Sequence, residues 1–230
     1  MPLYNMTYMN TLALVAGLLL ATGCGTKDKA DGTGKGGDSA VSGASGKTSD
    51  TMSPKEELRA ALVAMKNATS YRATADLVVG EQTVQLEGSF GVNQAHIVVH
   101  RADGKVMQGV AVGDKAVITE DGEETWVPDD GKNVANLSVL VTGPIRMGDQ
   151  IPDQGEVSVV GDEEVDGMMT THYRVATGHP IDVWIGDGPD GKVVKKLKTL
   201  VDATDVDVNA TIVFSRWNEP LGIEIPSGAP

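Results

Sequence analysis

Residues 205–214, DVDVNATIVF, alternate between apolar and polar side chains along the whole stretch. Successive side chains of an extended strand point to opposite faces, so the alternation separates two faces. The apolar face consists of Val206, Val208, Ala210, Ile212 and Phe214, and the polar face consists of Asp205, Asp207, Asn209 and Thr211. The stretch predicts a β-strand that is covered by apolar material on one side and solvated on the other.

The same two-residue period extends outward from this stretch over most of the chain. Gly-rich turns such as Asp103-Gly104 and Asp121-Gly122 separate the periodic segments. The other predicted strands cover residues 71–79, 82–90, 95–101, 106–112, 116–119, 125–127, 157–160, 170–176, 181–185 and 193–201. Strands that follow one another at such short spacing predict hairpins and an antiparallel sheet.

Two segments have helical signals instead. Ser53-Pro54 with Glu56 and Glu57 is a helix start, because Ser caps, Pro suits the first turn and acids complement the positive helix end. This helix should end near Thr69. Its apolar face consists of Leu58, Ala61, Leu62 and Met65. A second helix is predicted over residues 133–141, stopped by Gly143-Pro144, with residues 145–148 as a further turn.

These elements predict an α+β fold for residues 53–230: a curled antiparallel β-sheet, or half-open β-barrel, wrapped around an N-terminal helix and a central helical segment. The chain has only two Phe, four Tyr and three Trp, so Val, Leu, Ile, Met and Ala would line the concave side. Such a lining is either an ordinary packed core or, if incompletely filled, a cavity for acyl chains.

The N-terminus carries an export signal in our interpretation. Residues 11–22, TLALVAGLLLAT, are too short to span a bilayer but suit a signal-peptide core, although residues 1–23 contain no Lys or Arg. Gly23-Cys24 follows and resembles the lipobox of bacterial lipoproteins, in which the Cys is acylated. We therefore assign residues 1–23 to a signal peptide and lipid attachment to Cys24. The alternative is an uncleaved hydrophobic N-terminus with a buried free thiol.

Residues 24–52 are interpreted as the acylated Cys and a disordered linker of Gly, Ser, Lys and Asp, since this segment offers almost no large apolar side chain to bury. The formal net charge of the chain is −13. An acidic domain repels nucleic acid and gains nothing from an anionic membrane surface, so no nucleic-acid partner is expected and membrane contact should come from the anchor. A single Cys excludes an intrachain disulfide and a multi-thiolate metal site.

A series of weak patterns covers residues 53–228. They are SYRATADLVVG at 70–80, TVQLEGSF at 83–90, TWVPDDG at 125–131, WIGDGPDGKVVKKLK at 184–198 and IVFSRWNEPLGIEIPSGA at 212–229. Together with the lipobox, this order resembles the LppX/LprG lipoproteins of actinobacteria, which share the LolA/LolB-like lipoprotein-carrier fold. The resemblance implies a half-barrel whose apolar cavity carries lipids or lipoglycans across the envelope, with no catalytic residues and no cofactor.

The leading hypothesis is a monomeric, non-enzymatic lipid or glycolipid carrier, anchored to the cell membrane on its extracytoplasmic side. The rival hypothesis is a sensor or scaffold lipoprotein whose half-barrel is filled and which binds an envelope protein partner. Candidate cavity residues occupy apolar positions on amphipathic elements. They are Leu62, Met65, Leu86, Val99, Val110, Leu140 and Ile212.

Other motifs give no catalytic or metal site. His96 and His100 lie in a β-branched stretch, where four residues span about 13 Å, too far for shared coordination. Asp205, Asp207 and Asn209 resemble the start of a calcium loop that lacks its later Gly and Glu. No Gly-x-Ser-x-Gly motif is present, so we expect no enzymatic activity.

Three Trp and four Met residues are ambiguous. Trp126, Trp184 and Trp217 lie at or near predicted strand ends, where an indole most often plugs the core but can also rim a cavity or meet headgroups. The Met residues can adapt to ligands of variable shape or fill ordinary gaps. They are Met107, Met147, Met168 and Met169.

Overall fold

The computed structural model describes residues 52–121, 125–129, 132–146, 148–203 and 206–230. Its strands are β1 Ser70–Val79, β2 Gln82–Gly91, β3 Gln94–His100, β4 Val106–Val112, β5 Lys115–Glu120, β6 Val127–Pro128, β7 Glu156–Val165, β8 Met168–Ala176, β9 Ile181–Gly188, β10 Gly191–Ala203 and β11 Val206–Ser215. The helices are α1 Pro54–Lys66, α2 Lys132–Arg146 and a 3-10 helix at Gly148–Asp153. The predicted signal peptide, Cys24 and residues 25–51 of the predicted linker lie outside the described residues.

One antiparallel sheet contains all eleven of these strands, in the order β6-β5-β4-β3-β2-β1-β11-β10-β9-β8-β7. It consists of two meanders, β1 to β6 and β7 to β11, which are joined where β1 pairs with β11. The sheet is curled, and both helices pack on its concave face. The predicted α+β half-open barrel is therefore confirmed.

Helix α1 begins as its sequence predicts. The Ser53 hydroxyl accepts a hydrogen bond from the Glu56 backbone N–H, and the Glu56 carboxylate accepts one from the Ser53 backbone N–H, which together form a capping box. The helix ends at Lys66 rather than near Thr69. The reason is that the Thr69 N–H donates to the Asn218 side chain and β1 pairing begins at Ser70, so this segment joins the sheet.

Helix α2 differs from its prediction at the C-terminal end. It continues through Gly143-Pro144 to Arg146 instead of stopping there. A proline removes one helical hydrogen bond and crowds the preceding turn. The apolar stripe nevertheless continues beyond it, because Ile145 is buried, as are the residues one, two and three turns earlier. The stripe consists of Val134, Leu137, Val141 and Ile145. Burial of this face offsets the local cost of the proline.

The hairpin of β7 and β8 is longer than predicted. Asp166 and Gly167 form its two-residue turn, with φ of 49° and 76°. Positive φ at both positions is typical of the type I′ turn that suits a twisted hairpin. The hairpin therefore extends to Val165 and Met168, beyond the predicted strands at 157–160 and 170–176. In the part of the chain that the structure describes, no helix has the length and apolar character needed to cross a membrane.

Candidate functional site

The concave face contains a continuous apolar row that crosses the middle of the sheet. Val99 pairs with Leu86, Leu86 with Ala75, and Ala75 with Ile212, so three predicted cavity residues lie in adjacent strands. The row continues from Ile212 to Leu197 on the next strand. Neighbouring strands are about 4.8 Å apart, so the row presents an unbroken apolar strip across β3, β2, β1, β11 and β10.

Each helix covers a different part of this face. Helix α1 packs against β10, β7 and the 3-10 helix, and a Cβ at Gly148 would lie 3.0 Å from the Leu62 side chain. Helix α2 packs against β3, β4 and β5. The approach of α2 depends on Gly109, where an added Cβ would come within 2.7 Å of the Val134 side chain. The main helix contacts therefore fall on either side of β11, β1 and β2.

Small side chains occupy the stretch between the two helices. On β1 the inward residues include Ala73 and Ala75, and the β1 partner of Gly88 is Ala73. Five predicted cavity residues join the same buried cluster on this face, with 0–2 % of each side chain exposed. They are Leu62, Met65, Leu86, Val99 and Ile212. In this conformation the face is closed, because these side chains are almost inaccessible to water.

The two other predicted cavity residues do not join this cluster. Gly109 points toward Val134 of α2, so its neighbour Val110 points to the opposite face of β4, where it pairs with His96 and Val117. The sequence interpretation chose Val110 for its apolar position on an amphipathic strand, whereas the close approach of α2 places Gly109 on the inward face. Leu140 lies within α2, but its side chain is outside the described part of the structure.

An aromatic cluster closes one end of the concave face. The Tyr71 ring centroid lies 5.3 Å from those of Phe90 and Trp217 and 6.0 Å from that of Phe214. These spacings are typical of favourable ring packing. The cluster confirms that Trp217 plugs the core. The sequence analysis did not find the cluster as a unit, although Tyr71 and Phe90 are paired on neighbouring strands.

Trp184 is also buried, but on the outer face of the sheet. Its ring stacks on His172 at 4.2 Å, Lys196 lies over it, and its Nε1 donates to Glu163 at 2.7 Å. His172 is in turn 2.9 Å from Asp182. Burial alone would raise the pKa of Asp182, but hydrogen bonds from Arg174 and His172 outweigh it and lower that pKa. With its polar groups paired, this cluster stabilises the β7–β9 edge and leaves no free group for chemistry.

The two histidines considered for a metal lie in β3 as predicted. Burial lowers the pKa of His96, so its ring is neutral near pH 7, and His100 is exposed at the strand end. Within the described ranges, no three His, Cys, Asp or Glu side chains come together as a metal site would require. Asp205 and Met147 lie outside the described residues.

Two comparisons found no match: no family model and no curated protein sequence corresponds to this chain. Several solved structures are similar to this chain. LppX of Mycobacterium tuberculosis is 18 % identical with a TM-score of 0.55, over 74 % of this chain and 98 % of that one. LprF of Mycobacterium bovis is 14 % identical with a TM-score of 0.59, over 76 % of this chain and 97 % of that one. The chain therefore has the fold of these mycobacterial lipoproteins, as the sequence resemblance predicted.

Proposed function

We propose that this chain, which has the fold of LppX and LprF, is a membrane-anchored envelope lipoprotein that carries lipid or glycolipid acyl chains on the concave face of its sheet. The observation that supports the proposal most directly is the apolar row through Leu86, Ala75 and Ile212, placed between the contact zones of two helices. Acylated Cys24 would keep the domain at the membrane. The protein makes or breaks no bond in this process.

Hydrophobic burial supplies the driving force in this proposal. Each methylene that leaves water contributes about 0.8 kcal/mol, so a long acyl chain gains on the order of 10 kcal/mol before ordering costs. The small inward side chains at Ala73 and Ala75 leave room for a chain to lie along the sheet once a helix beside them moves. Five residues would contact it. They are Leu62, Met65, Leu86, Val99 and Ile212.

Because the concave face is closed in this structure, loading requires a helix to move, and α2 is the better candidate. Pro144 removes a backbone hydrogen bond from its last turns. The Thr142 hydroxyl is buried without a hydrogen-bond partner, which costs about 1–3 kcal/mol while α2 is docked. Displacement of α2 relieves that cost and uncovers β3 and β4 beside the apolar row.

Native mass spectrometry of the full chain, purified in detergent from its own host, tests lipid carriage. We expect a co-purifying lipid, and we expect Leu86→Trp to reduce its occupancy at least about tenfold by filling the face. Ala75→Leu is a milder second variant should Leu86→Trp fold poorly. Gln85→Trp is the matched control, since Gln85 is the exposed neighbour on the other face of β2. A chain that is always free of lipid, or equal loading in all variants, would refute the proposal and favour the scaffold hypothesis.

A reversible cross-link tests the movement of α2. An added Cβ at Gly109 lies 3.7 Å from the Cβ of Val134, within the separation that a disulfide needs, about 3.5–4.5 Å. The variant with Gly109→Cys and Val134→Cys should take up lipid from vesicles when reduced and fail to do so when oxidised. Each single variant is a control. Undiminished uptake by the oxidised protein would show that α2 is not the moving element.

A further inference from the structure

The outer face of the sheet contains a cavity that lipid carriage does not use. It has a volume of about 390 Å³ and lies over β11, β1, β2 and β3. Apart from Ala73 and Gly88, its lining residues on the strands alternate with residues of the concave face: Arg72 lies between Tyr71 and Ala73, and Ser89 precedes Phe90. The cavity is therefore separated from the acyl-chain face by the full thickness of the sheet. Its volume is within the usual range of small-molecule sites, about 300–1,000 Å³.

Two adjacent cross-strand rows form the floor of this outer cavity. In the first row, Ser215 pairs with Arg72, Arg72 with Ser89, and Ser89 with His96. In the second row, Val213 pairs with Thr74, Thr74 with Glu87, and Glu87 with Val98. Hydroxyl groups, one cation and one anion thus lie beside two branched apolar side chains in the middle of the sheet.

Two residues outside the floor complete the walls. Asp166 comes from the turn between β7 and β8, and Arg216 follows β11 with a φ of 51°. Arg216 has an exposed contact of 3.9 Å with Glu219. The charged lining residues are therefore two arginines and two carboxylates, which balance, and burial lowers the pKa of His96 so that its ring adds no charge near pH 7.

The polar groups of the floor are available to a ligand. Among the residues that the structure describes, the side chains of Arg72, Glu87 and Ser89 make no hydrogen bond and no ion pair. Arg72 and Glu87 occupy adjacent rows and are not paired with each other. The Arg72 guanidinium can only donate hydrogen bonds, and the Glu87 carboxylate can only accept them. Hydroxyls at Thr74 and Ser89 can do both.

We propose that this outer cavity binds a neutral carbohydrate of one or two sugar rings. Sugar hydroxyls are donors and acceptors at once, so they can satisfy Arg72 and Glu87 together, whereas an anion would face Glu87 and Asp166 and a cation would face both arginines. The carbon face of a ring can lie on Val98 and Val213. Several hydrogen bonds to charged groups, which are stronger than those between neutral groups, make binding measurable despite the open rim.

Titration calorimetry of the full chain in detergent with maltose, cellobiose and lactose tests this inference. We expect saturable binding of at least one of these disaccharides. Arg72→Ala and Glu87→Gln should each weaken it by about tenfold or more, and both residues are exposed, so the fold should be retained. Lys115→Ala is the matched control, an exposed cation at the start of β5 outside the cavity.

The remaining outcomes are decisive. Binding of inorganic phosphate or of a zwitterion such as glycine betaine in place of the sugars would overturn the carbohydrate assignment. So would the absence of any saturable binding, or sugar binding that both variants leave unchanged. Lipid loading should be the same in Arg72→Ala and the parent chain, because Arg72 points away from the concave face. A failure of carbohydrate binding can therefore be distinguished from a failure of lipid carriage.

Discussion

Helices α1 and α2 cover the same face of one sheet, but they are held to it differently. The first turn of α1 carries a complete capping box, and Lys55 and Arg59 both contact Asp153 of the 3-10 helix, at 2.9 and 2.6 Å. The pKa of Tyr173 on β8 is raised by burial and by its hydrogen bond to Glu57 of α1. The apolar face of α1 is only 0–1 % exposed. Helix α1 is a fixed part of the domain.

Among the side chains that the structure describes, helix α2 has fewer such attachments. Asp129 accepts hydrogen bonds from the backbone N–H groups of Asn133 and Val134, at 3.3 and 3.0 Å, but the first turn of α2 has no acidic residue. Its interior contains Pro144, and the buried Thr142 hydroxyl has no partner. One helix therefore shapes the domain, while the other can serve as a cover for the apolar row.

Truncating one buried leucine in each helix should give the largest effects and separate the two roles. Leu62→Ala leaves a void beneath a fixed helix, and we expect a loss of about 3–5 kcal/mol in the free energy of unfolding. Leu137→Ala, at a site 6 % exposed on α2, should lose about 2–3 kcal/mol, because a mobile helix can settle into the void. Denaturant titration of the full chain measures both. Equal losses of unfolding free energy in the two variants would contradict the distinction between a fixed α1 and a mobile α2.

Restoring the missing backbone donor of α2 should have the next largest effect. Pro144→Ala supplies an N–H and removes ring crowding, which should stabilise α2 locally by up to about 3 kcal/mol. Hydrogen exchange of the α2 amides should slow while exchange of the α1 amides stays the same. Lipid uptake should slow as well, since opening becomes harder. Faster uptake in this variant would argue against α2 as the cover.

The parts of the fold that depend on short-range physics could be predicted from the sequence. Period-two alternation located the strands, because it reflects the two faces of a pleated sheet wherever one face is buried. The start of α1 followed from Ser53, Pro54 and Glu56, which act within a single helical turn. Of the candidate site, the residues on α1, β2, β3 and β11 were placed together on one face, as the structure has them.

What could not be predicted depends on which element covers each surface. Val110 was predicted to line the cavity from its apolar position in a strand, yet the packing of α2 places Gly109 on the inward face. The continuation of α2 past Gly143-Pro144 depends on burial of Ile145, which no local signal reveals. The outer cavity depends on Asp166 reaching it from a distant turn. Each of these features arises from tertiary contacts between segments far apart in sequence.

The helix starts offer a smaller and complementary test. Ser53→Ala removes the cap of α1 and Asp129→Ala removes the acceptor at the start of α2, and each should lower the free energy of unfolding by about 1 kcal/mol. Their effects on lipid uptake should differ: Asp129→Ala should speed it by loosening the cover, whereas Ser53→Ala should leave it unchanged. Vesicle-to-protein lipid transfer measures this rate. Identical uptake in both variants would remove the functional distinction between the helices.

Acidification should produce the smallest effect, and it should act on α1. Hydrogen bonds with Ser53 lower the pKa of Glu56 from 4.5, and hydrogen bonds from Lys55 and Arg59 lower the pKa of Asp153 from 3.8. Because the pKa of each carboxyl is lower in the folded chain, the unfolded chain takes up protons first as the pH falls. The stabilisation is therefore present above the unfolded-state pKa values and is lost as the pH falls through the folded-state pKa values. Asp153→Asn should therefore flatten the fall in unfolding free energy below about pH 4. Because Asp153 is exposed, the change in the slope of unfolding free energy against pH should be slight. If the slope of the variant is as steep as that of the parent chain, the contact of Asp153 with Lys55 and Arg59 does not help to hold α1.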